Sequence, residues 1–181
     1  MSLKNIYYEL SKHYDADYYT KLAKSNAMVV PVLIDIISDE YFEFDKRQAE
    51  MILENISQTD SELVYPYFDY LCDMVDREEN PIFWSMLKII ANLLSCDYLD
   101  KWNNKKEIYF NALNSNAISK FSIACSCAAN VVKHKADDAE RVIIVLTQAK
   151  EKLFNNNSDF VMIASEIADE TLKIIENEIS L

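Results

Sequence analysis

The side chains best suited to chemistry in this 181-residue chain are two histidines, four cysteines and 30 carboxylates. His13 has one ligand-type neighbour three or four residues before it, Glu9, and His134 has none there. A zinc site needs three or four such ligands, so neither histidine predicts a metal centre. Carboxylate pairs suited to acid and base catalysis arise by chance in so acidic a chain, and no pair can be singled out as catalytic.

The cysteines do not form a metal-binding pattern. Cys125 and Cys127 make a Cys-x-Cys pair, but on a helix their side chains point about 200° apart, and no second pair accompanies them. Like Cys72 and Cys96, they lie within apolar helical patterns, where free thiols behave as small core residues. We therefore expect reduced core cysteines and no cofactor or metal.

The chain has no glycine. Phosphate-binding loops, nucleotide-binding turns and the nucleophile elbow of hydrolases need glycine for positive φ or close backbone approach. Tight β-hairpins also favour glycine, whereas helices can end at asparagine. Asn26, Asn114, Asn116 and the run Asn155 to Asn157 are placed to do so. The composition thus favours an all-helical protein and disfavours these catalytic classes.

The formal charge of −12 predicts which partners the chain avoids. Such a field repels nucleic acids and anionic membrane surfaces and favours cationic partners, although solubility alone also accounts for an acidic surface. The longest uncharged apolar stretch, near Phe121 to Val132, is too short to span a bilayer, and the N-terminus does not resemble a secretory signal. We expect a cytoplasmic protein without nucleic-acid or membrane partners.

Apolar residues recur at helical period along the chain. The stripe Ala49, Ile52, Leu53 and Ile56 reappears 37 residues later as Met86, Ile89, Ile90 and Leu93, and 38 residues further on as Ala124, Cys127, Ala128 and Val131. A period of 35 to 38 residues with two helices per unit predicts an α-α superhelix. The predicted parts are an N-terminal capping segment, 1–25, and four helix pairs, 26–58, 60–96, 100–134 and 137–180.

Local signals refine these helices. Ser2, Asp17 and Ser61 are predicted N-caps, and the Asn80-Pro81 pair predicts a helix beginning at the proline. Pro31 and Pro66 lie 35 residues apart in corresponding first helices, which predicts a shared bend.

The second helices read AEMILENI, SMLKIIANL and ACSCAANV, and they resemble the last helix of armadillo repeats and helix B of HEAT repeats. The shared element is an apolar residue, a variable one, asparagine and an aliphatic. The armadillo tryptophan and glycine are absent and the spacing is shorter, so the chain is identified as HEAT-like. In armadillo proteins the matching asparagines bind the backbone of an extended peptide. The resemblance implies this role for Asn55, Asn92 and Asn130; the alternative is that they bond turn carbonyls between repeats.

A second candidate surface is aromatic. Tyr65, Tyr67 and Tyr70 on one first helix cannot all face the core at helical spacing, and Trp84 and Trp102 stand nearby in sequence. Tyrosine and tryptophan dominate interface energetics. Tyr65, Tyr70, Trp84 and Trp102 are therefore candidates for anchoring a partner or a second copy of the chain.

Together these features predict a non-catalytic HEAT-like scaffold that binds a protein segment, with positive charge favoured, on the concave face of its second helices. Two alternatives remain open. HEAT-like DNA glycosylases share the predicted architecture but need a basic face, which the net charge disfavours. A structural subunit of a larger assembly is the other. The sequence also leaves a homo-oligomer open.

Overall fold

A computed structural model describes Tyr8 and residues 15–38, 46–77, 84–154 and 159–179. These residues are helical or lie in connecting turns, and no strand occurs among them. The chain is therefore all-α, as predicted. Its main helices are α1 (Ala16–Ser25), α2 (Val29–Ser38), α3 (Lys46–Thr59), α4 (Ser61–Val64), α5 (Phe68–Arg77), α6 (Met86–Leu93), α7 (Trp102–Lys105), α8 (Glu107–Leu113), α9 (Ile118–His134), α10 (Ala139–Phe154) and α11 (Asp159–Ile179).

The helices pack as successive pairs in two layers. Within the pairs, α2 contacts α3, α5 contacts α6, α8 contacts α9 and α10 contacts α11. The second members form one layer, in which α3 packs on α6, α6 on α9 and α9 on α11, while α1 covers the free side of α3. In the other layer α8 packs between α5 and α10. Second helices distant in sequence therefore lie side by side.

The repeated apolar stripe forms the core between the layers. Every stripe residue on α3, α6 and α9 is buried, which confirms the helical period read from the sequence. On α10 and α11, Val142, Leu146, Ala168 and Ile175 are also buried. Fully burying a side chain of valine or isoleucine size contributes about 1.5 to 3 kcal/mol, so this stripe supplies much of what holds the layers together.

The first helices are less regular than predicted. The first helix of the predicted pair 60–96 is not continuous: it is divided into α4, a 3-10 turn at Tyr65–Tyr67 and α5, and Pro66 lies in that turn. Pro31 instead lies in the first turn of α2, where its missing N–H costs no hydrogen bond, and α2 runs unbroken to Ser38. The prediction of a shared bend is therefore wrong for Pro31.

Two helices end at asparagine, as predicted: Asn26 is the C-cap of α1 and Asn114 is the C-cap of α8. Their φ angles are −142° and −100°, so neither end uses the left-handed conformation that favours glycine. Asn26 instead accepts a hydrogen bond from the backbone N–H of Met28 through its side chain, at 3.1 Å. Among the described residues, the one with positive φ is Asp100, at 53°.

Two helices have their N-caps at residues other than the predicted ones. The N-cap of α1 is Asp15, whose Oδ1 accepts from the Tyr18 N–H at 3.0 Å, and Asp17 lies inside the helix. Ser61 is the first residue of α4 rather than its cap, which is Asp60. The predictions for Ser2, for Asn80-Pro81 and for the asparagine run 155–157 lie outside the described residues, as does most of the segment before residue 15.

Candidate functional site

The three asparagines singled out from the sequence lie on neighbouring second helices and are tied to the helices beside them. Asn55 Nδ2 on α3 donates to Thr20 Oγ1 on α1 at 2.9 Å. Asn92 Nδ2 on α6 donates to Ser57 Oγ on α3 at 2.9 Å. Asn130 Nδ2 on α9 donates to Asn92 Oδ1 at 3.0 Å. A row of side-chain hydrogen bonds therefore crosses α1, α3, α6 and α9.

This arrangement answers part of the question left open by the sequence. The asparagine amides bond to side chains on adjacent helices, and none of these bonds between described residues goes to a turn carbonyl. Each of these bonds uses one of the two hydrogens on an amide nitrogen, and a carbonyl oxygen can accept two bonds. All three side chains are only partly buried. The amides can thus hold the helices together and still present hydrogen-bonding groups to a ligand.

A pocket of about 260 Å³ opens where α3, α6 and α9 meet. It contains two of the three asparagines, a glutamine, a serine, one carboxylate and one ammonium group. Its lining consists of Glu54, Gln58, Lys88, Ala91, Asn92, Ser126, Cys127 and Asn130. The formal charges of Glu54 and Lys88 cancel, so the lining offers polar contacts and carries no net formal charge.

The charged residues beside this pocket include a perturbed carboxyl group. Glu50 lies one turn before Glu54 on α3, and burial is the main reason that its pKa is raised. The hydrogen bond with Ser85 opposes the shift, the Glu54 carboxylate adds to it, and the charges of Lys88 and Arg47 oppose it. The face therefore carries opposite charges close together, which suits a polar ligand better than a polyanion.

The predicted aromatic surface is largely wrong. Tyr65, Trp84 and Trp102 are buried, and Tyr70 alone of the four candidates is exposed. Tyr65 and Trp102 face inward because each has a carboxylate partner in a loop between successive helix pairs. Tyr65 Oη donates to Asp97 Oδ1 at 2.6 Å, and Trp102 Nε1 donates to Asp138 Oδ2 at 2.7 Å.

Asp97 and Asp138 were not recognised from the sequence as important residues. Lys135 Nζ lies 2.6 Å from Asp97 Oδ2, and Lys106 Nζ lies 2.8 Å from Asp138 Oδ1. Burial alone would raise the pKa of Asp97, but hydrogen bonds from Lys135, Tyr65 and the Trp102 and Lys101 N–H groups together lower it below 3.8. The usable signal in the sequence was an aromatic residue followed 32 or 36 positions later by aspartate.

The thiols are unsuited to nucleophilic chemistry. Cys72, Cys125 and Cys127 are buried, Cys96 is partly buried, and all four are free of disulfides. Burial raises the pKa of Cys72, Cys125 and Cys127 to about 12, which leaves almost no thiolate at neutral pH.

Within the described ranges, no group of three or more His, Cys, Asp or Glu side chains is arranged to hold a metal ion. Likewise, none of the described helices combines the length and apolarity needed to cross a membrane. Comparison of the chain with protein-family models, curated proteins and solved structures finds no match. The function of the second-helix face must therefore be inferred from its own chemistry.

Proposed function

We propose that this protein is a cytoplasmic HEAT-like scaffold that binds an extended segment of another protein across its layer of second helices. The observation that carries the proposal is the pocket between α3, α6 and α9, in which Asn92 and Asn130 stand among exposed polar groups. Side-chain amides both donate and accept, so they can bond the backbone of a peptide regardless of its sequence.

The row of hydrogen bonds supports this proposal because it fixes the amides before a ligand arrives. Asn92 is held from both sides, as a donor to Ser57 and as an acceptor from Asn130. A side chain already ordered in the free protein loses little rotamer entropy when it binds. The spacing of the second helices would then set the spacing of contacts along the bound segment.

The residues that line the pocket indicate how far charge contributes to recognition of the bound segment. The net charge of −12 favours a cationic partner, yet Glu54 and Lys88 balance each other inside the pocket. Recognition here is therefore proposed to rest on hydrogen bonds, with the overall charge acting through the rate of encounter.

A substitution that fills the pocket without breaking the row of bonds tests the proposal. Ser126 is exposed, and among the described residues its hydroxyl bonds within its own helix, to Ile123 O at 2.7 Å. Ser126→Tyr should therefore fold normally and block the pocket. Thr147→Tyr is a matched control, because Thr147 is exposed and bonded to Ile143 O on α10, in the other layer.

The readout is affinity capture of partners from native extract with wild type and both variants. A partner retained by wild type and Thr147→Tyr but lost with Ser126→Tyr supports binding at this face. If every captured partner is retained equally by the three proteins, the proposal fails, and a structural subunit that uses other surfaces is the better account.

A further inference from the structure

The loop that leads from α6 to α7 exposes two large apolar side chains. Tyr98 is 71% exposed and Leu99 is 63% exposed, the highest values for large apolar residues in the part of the chain that the structure describes. One side of the Tyr98 ring packs on Tyr65, with ring centroids 4.6 Å apart. The other side of the Tyr98 ring and the Leu99 side chain face solvent.

The loop is fixed by its own hydrogen bonds. The backbone N–H groups of six consecutive residues, 97 to 102, each donate to an acceptor within the protein. The side chain of Asp97 is 1% exposed and accepts from the N–H groups of both Lys101 and Trp102. Tyr65 Oη accepts from the Leu99 N–H at 3.2 Å.

These bonds hold a conformation that the chain does not adopt freely. Asp100 has φ 53°, a region that costs a non-glycine residue free energy and persists only where surrounding contacts impose it. A flexible loop could turn Tyr98 and Leu99 against the protein surface, but this one cannot. Apolar side chains held rigidly in solvent lose little entropy on binding, which is the property of an interface anchor.

Charges around the loop indicate what would bind. The nearby ammonium groups are engaged, since Lys101 pairs with Asp69 at 2.8 Å and Lys135 with Asp97 at 2.6 Å. Lys135 also lies 3.6 Å from the Asp100 carboxylate, so one ammonium group serves two carboxylates, and Glu62 on α4 is exposed. These described charges leave a negative excess around the loop, which a partner with positive charge would complement.

A neighbouring pocket on the same edge extends this surface. The hydroxyls of Ser61 and Ser95, 3.3 Å apart, connect the loop region to a pocket of about 440 Å³ at the start of α4. Asp60 lines the pocket and pairs with Lys24 through Oδ1 at 2.9 Å. Its Oδ2 is buried and has no hydrogen-bond partner among the described residues. The pocket lining holds two carboxylates, Asp60 and Glu62, and one ammonium group, Lys24, so its formal charge also favours a cationic group.

We propose that the Tyr98-Leu99 loop and the adjacent Asp60 pocket form a second binding surface, for a protein segment that carries an apolar side chain near a lysine or arginine. The apolar residue would pack on Tyr98 and Leu99, and the basic residue would face Asp60, Glu62 and Asp100. This surface is separate from the second-helix face and does not depend on the function proposed for it.

Selection from a phage-displayed library of random peptides tests the proposal. Peptides are selected on the wild-type protein and depleted on a Tyr98→Ser/Leu99→Ser double variant, and one enriched peptide is then titrated against purified proteins. Enriched peptides should combine lysine or arginine with an apolar residue. Their affinity should fall at least tenfold with the double variant and weaken as salt is raised, because exposed charge pairs are screened.

Controls separate this surface from the others. Ile174→Ser removes a 51% exposed apolar side chain from α11 and should leave the affinity unchanged. Thermal unfolding shows whether the double variant is folded. If the double variant is unfolded, Leu99→Ser alone takes its place, because that variant keeps the packing of the Tyr98 ring. Failure to enrich peptides over the double variant, or equal loss of binding with Ile174→Ser, overturns the proposal.

Two further outcomes also count against it. If selection without the depletion step gives only peptides that bind the double variant as well as wild type and are lost with Ser126→Tyr, the second-helix face is supported and the loop is not. Wild-type protein that self-associates in sedimentation experiments, while the double variant stays monomeric, would assign Tyr98 and Leu99 to contact with a second copy of the chain.

Discussion

The amide nitrogen of Asn130 donates to the amide oxygen of Asn92 across 3.0 Å, although the two residues are 38 positions apart in the sequence. Asn92 in turn donates to Ser57 on the next helix. One side chain therefore connects three second helices at the point where their pocket opens, so the stability of the layer and the chemistry of the pocket depend on the same residue.

Asn92→Ala should destabilise the protein more than Asn55→Ala, because Asn92 takes part in two of these bonds and Asn55 donates only one. Leaving partly buried partners unpaired costs about 1 to 3 kcal/mol. Urea denaturation of Asn92→Ala, Asn130→Ala and the double variant measures the effect, with an expected coupling of about 0.5 to 3 kcal/mol between the two sites. Strictly additive losses would mean that the bond contributes nothing.

Asp97→Asn should lower the free energy of unfolding by about 3 to 5 kcal/mol near neutral pH, because it leaves the Lys135 ammonium without its buried partner. Hydrogen bonds hold the pKa of Asp97 below its ordinary value of 3.8. A carboxyl group with a lowered pKa stabilises the fold above that value, and the contribution is lost as the pH falls through the folded-state pKa. The difference in free energy of unfolding between wild type and Asp97→Asn should therefore become smaller in acid.

Denaturation curves recorded over a range of pH check this dependence. A gap that stays constant from neutral pH into strong acid would show that the Asp97 carboxylate is not the source of the difference. Asp100→Asn is a suitable control, because the same ammonium lies 3.6 Å from the largely exposed carboxylate of Asp100. Exposed pairs contribute about 0 to 1 kcal/mol, so this variant should change little.

Trp102→Phe should destabilise the fold by about 1 to 3 kcal/mol, because it removes the N–H that satisfies a buried oxygen of Asp138. Circular dichroism during thermal unfolding measures the change. Tyr70→Phe on the exposed face of α5 should fall within about 0.5 kcal/mol of wild type. Equal effects of the two substitutions would contradict an inward, bonded Trp102.

Alkylation of the native protein by iodoacetamide should reach Cys96 first. Cys96 is partly buried, whereas Cys72, Cys125 and Cys127 combine burial with a pKa of about 12. The last three should react only when the protein is unfolded, and peptide mass spectrometry identifies the modified site. Rapid native labelling of Cys127, which lines the pocket between the second helices, would mean that the pocket floor is open to solvent.

Much of the helical pattern could be predicted from periodicity. The stripe on α3, α6 and α9 is buried as expected, because the placement of apolar residues every three or four positions directly reports one face of a helix. The end of α3 was predicted within one residue, at Gln58 against an observed Thr59. Interruptions of helices were harder to predict, because the 3-10 turn at Pro66 depends on packing of Tyr65 and Phe68 as well as on the proline.

The side chains that connect helix pairs were the main source of error. Tyr65 and Trp102 looked like surface candidates because the spacing within one helix cannot reveal a carboxylate in the next loop. Asp97 and Asp138 supply that partner and turn both aromatic rings inward. Conversely, the resemblance to armadillo repeats identified Asn55, Asn92 and Asn130, but not that their first hydrogen bonds are to neighbouring helices.

The central proposal is that the second-helix face binds a protein segment through its asparagine amides. Its most direct test is nuclear magnetic resonance of the side-chain amide groups as a partner recovered by capture is titrated into labelled protein. The amide signals of Asn92, Asn130 and Gln58 should shift together, while that of Asn104, exposed on α7, should stay in place. Shifts confined to residues outside the pocket, with these three signals unmoved at saturation, would contradict the account.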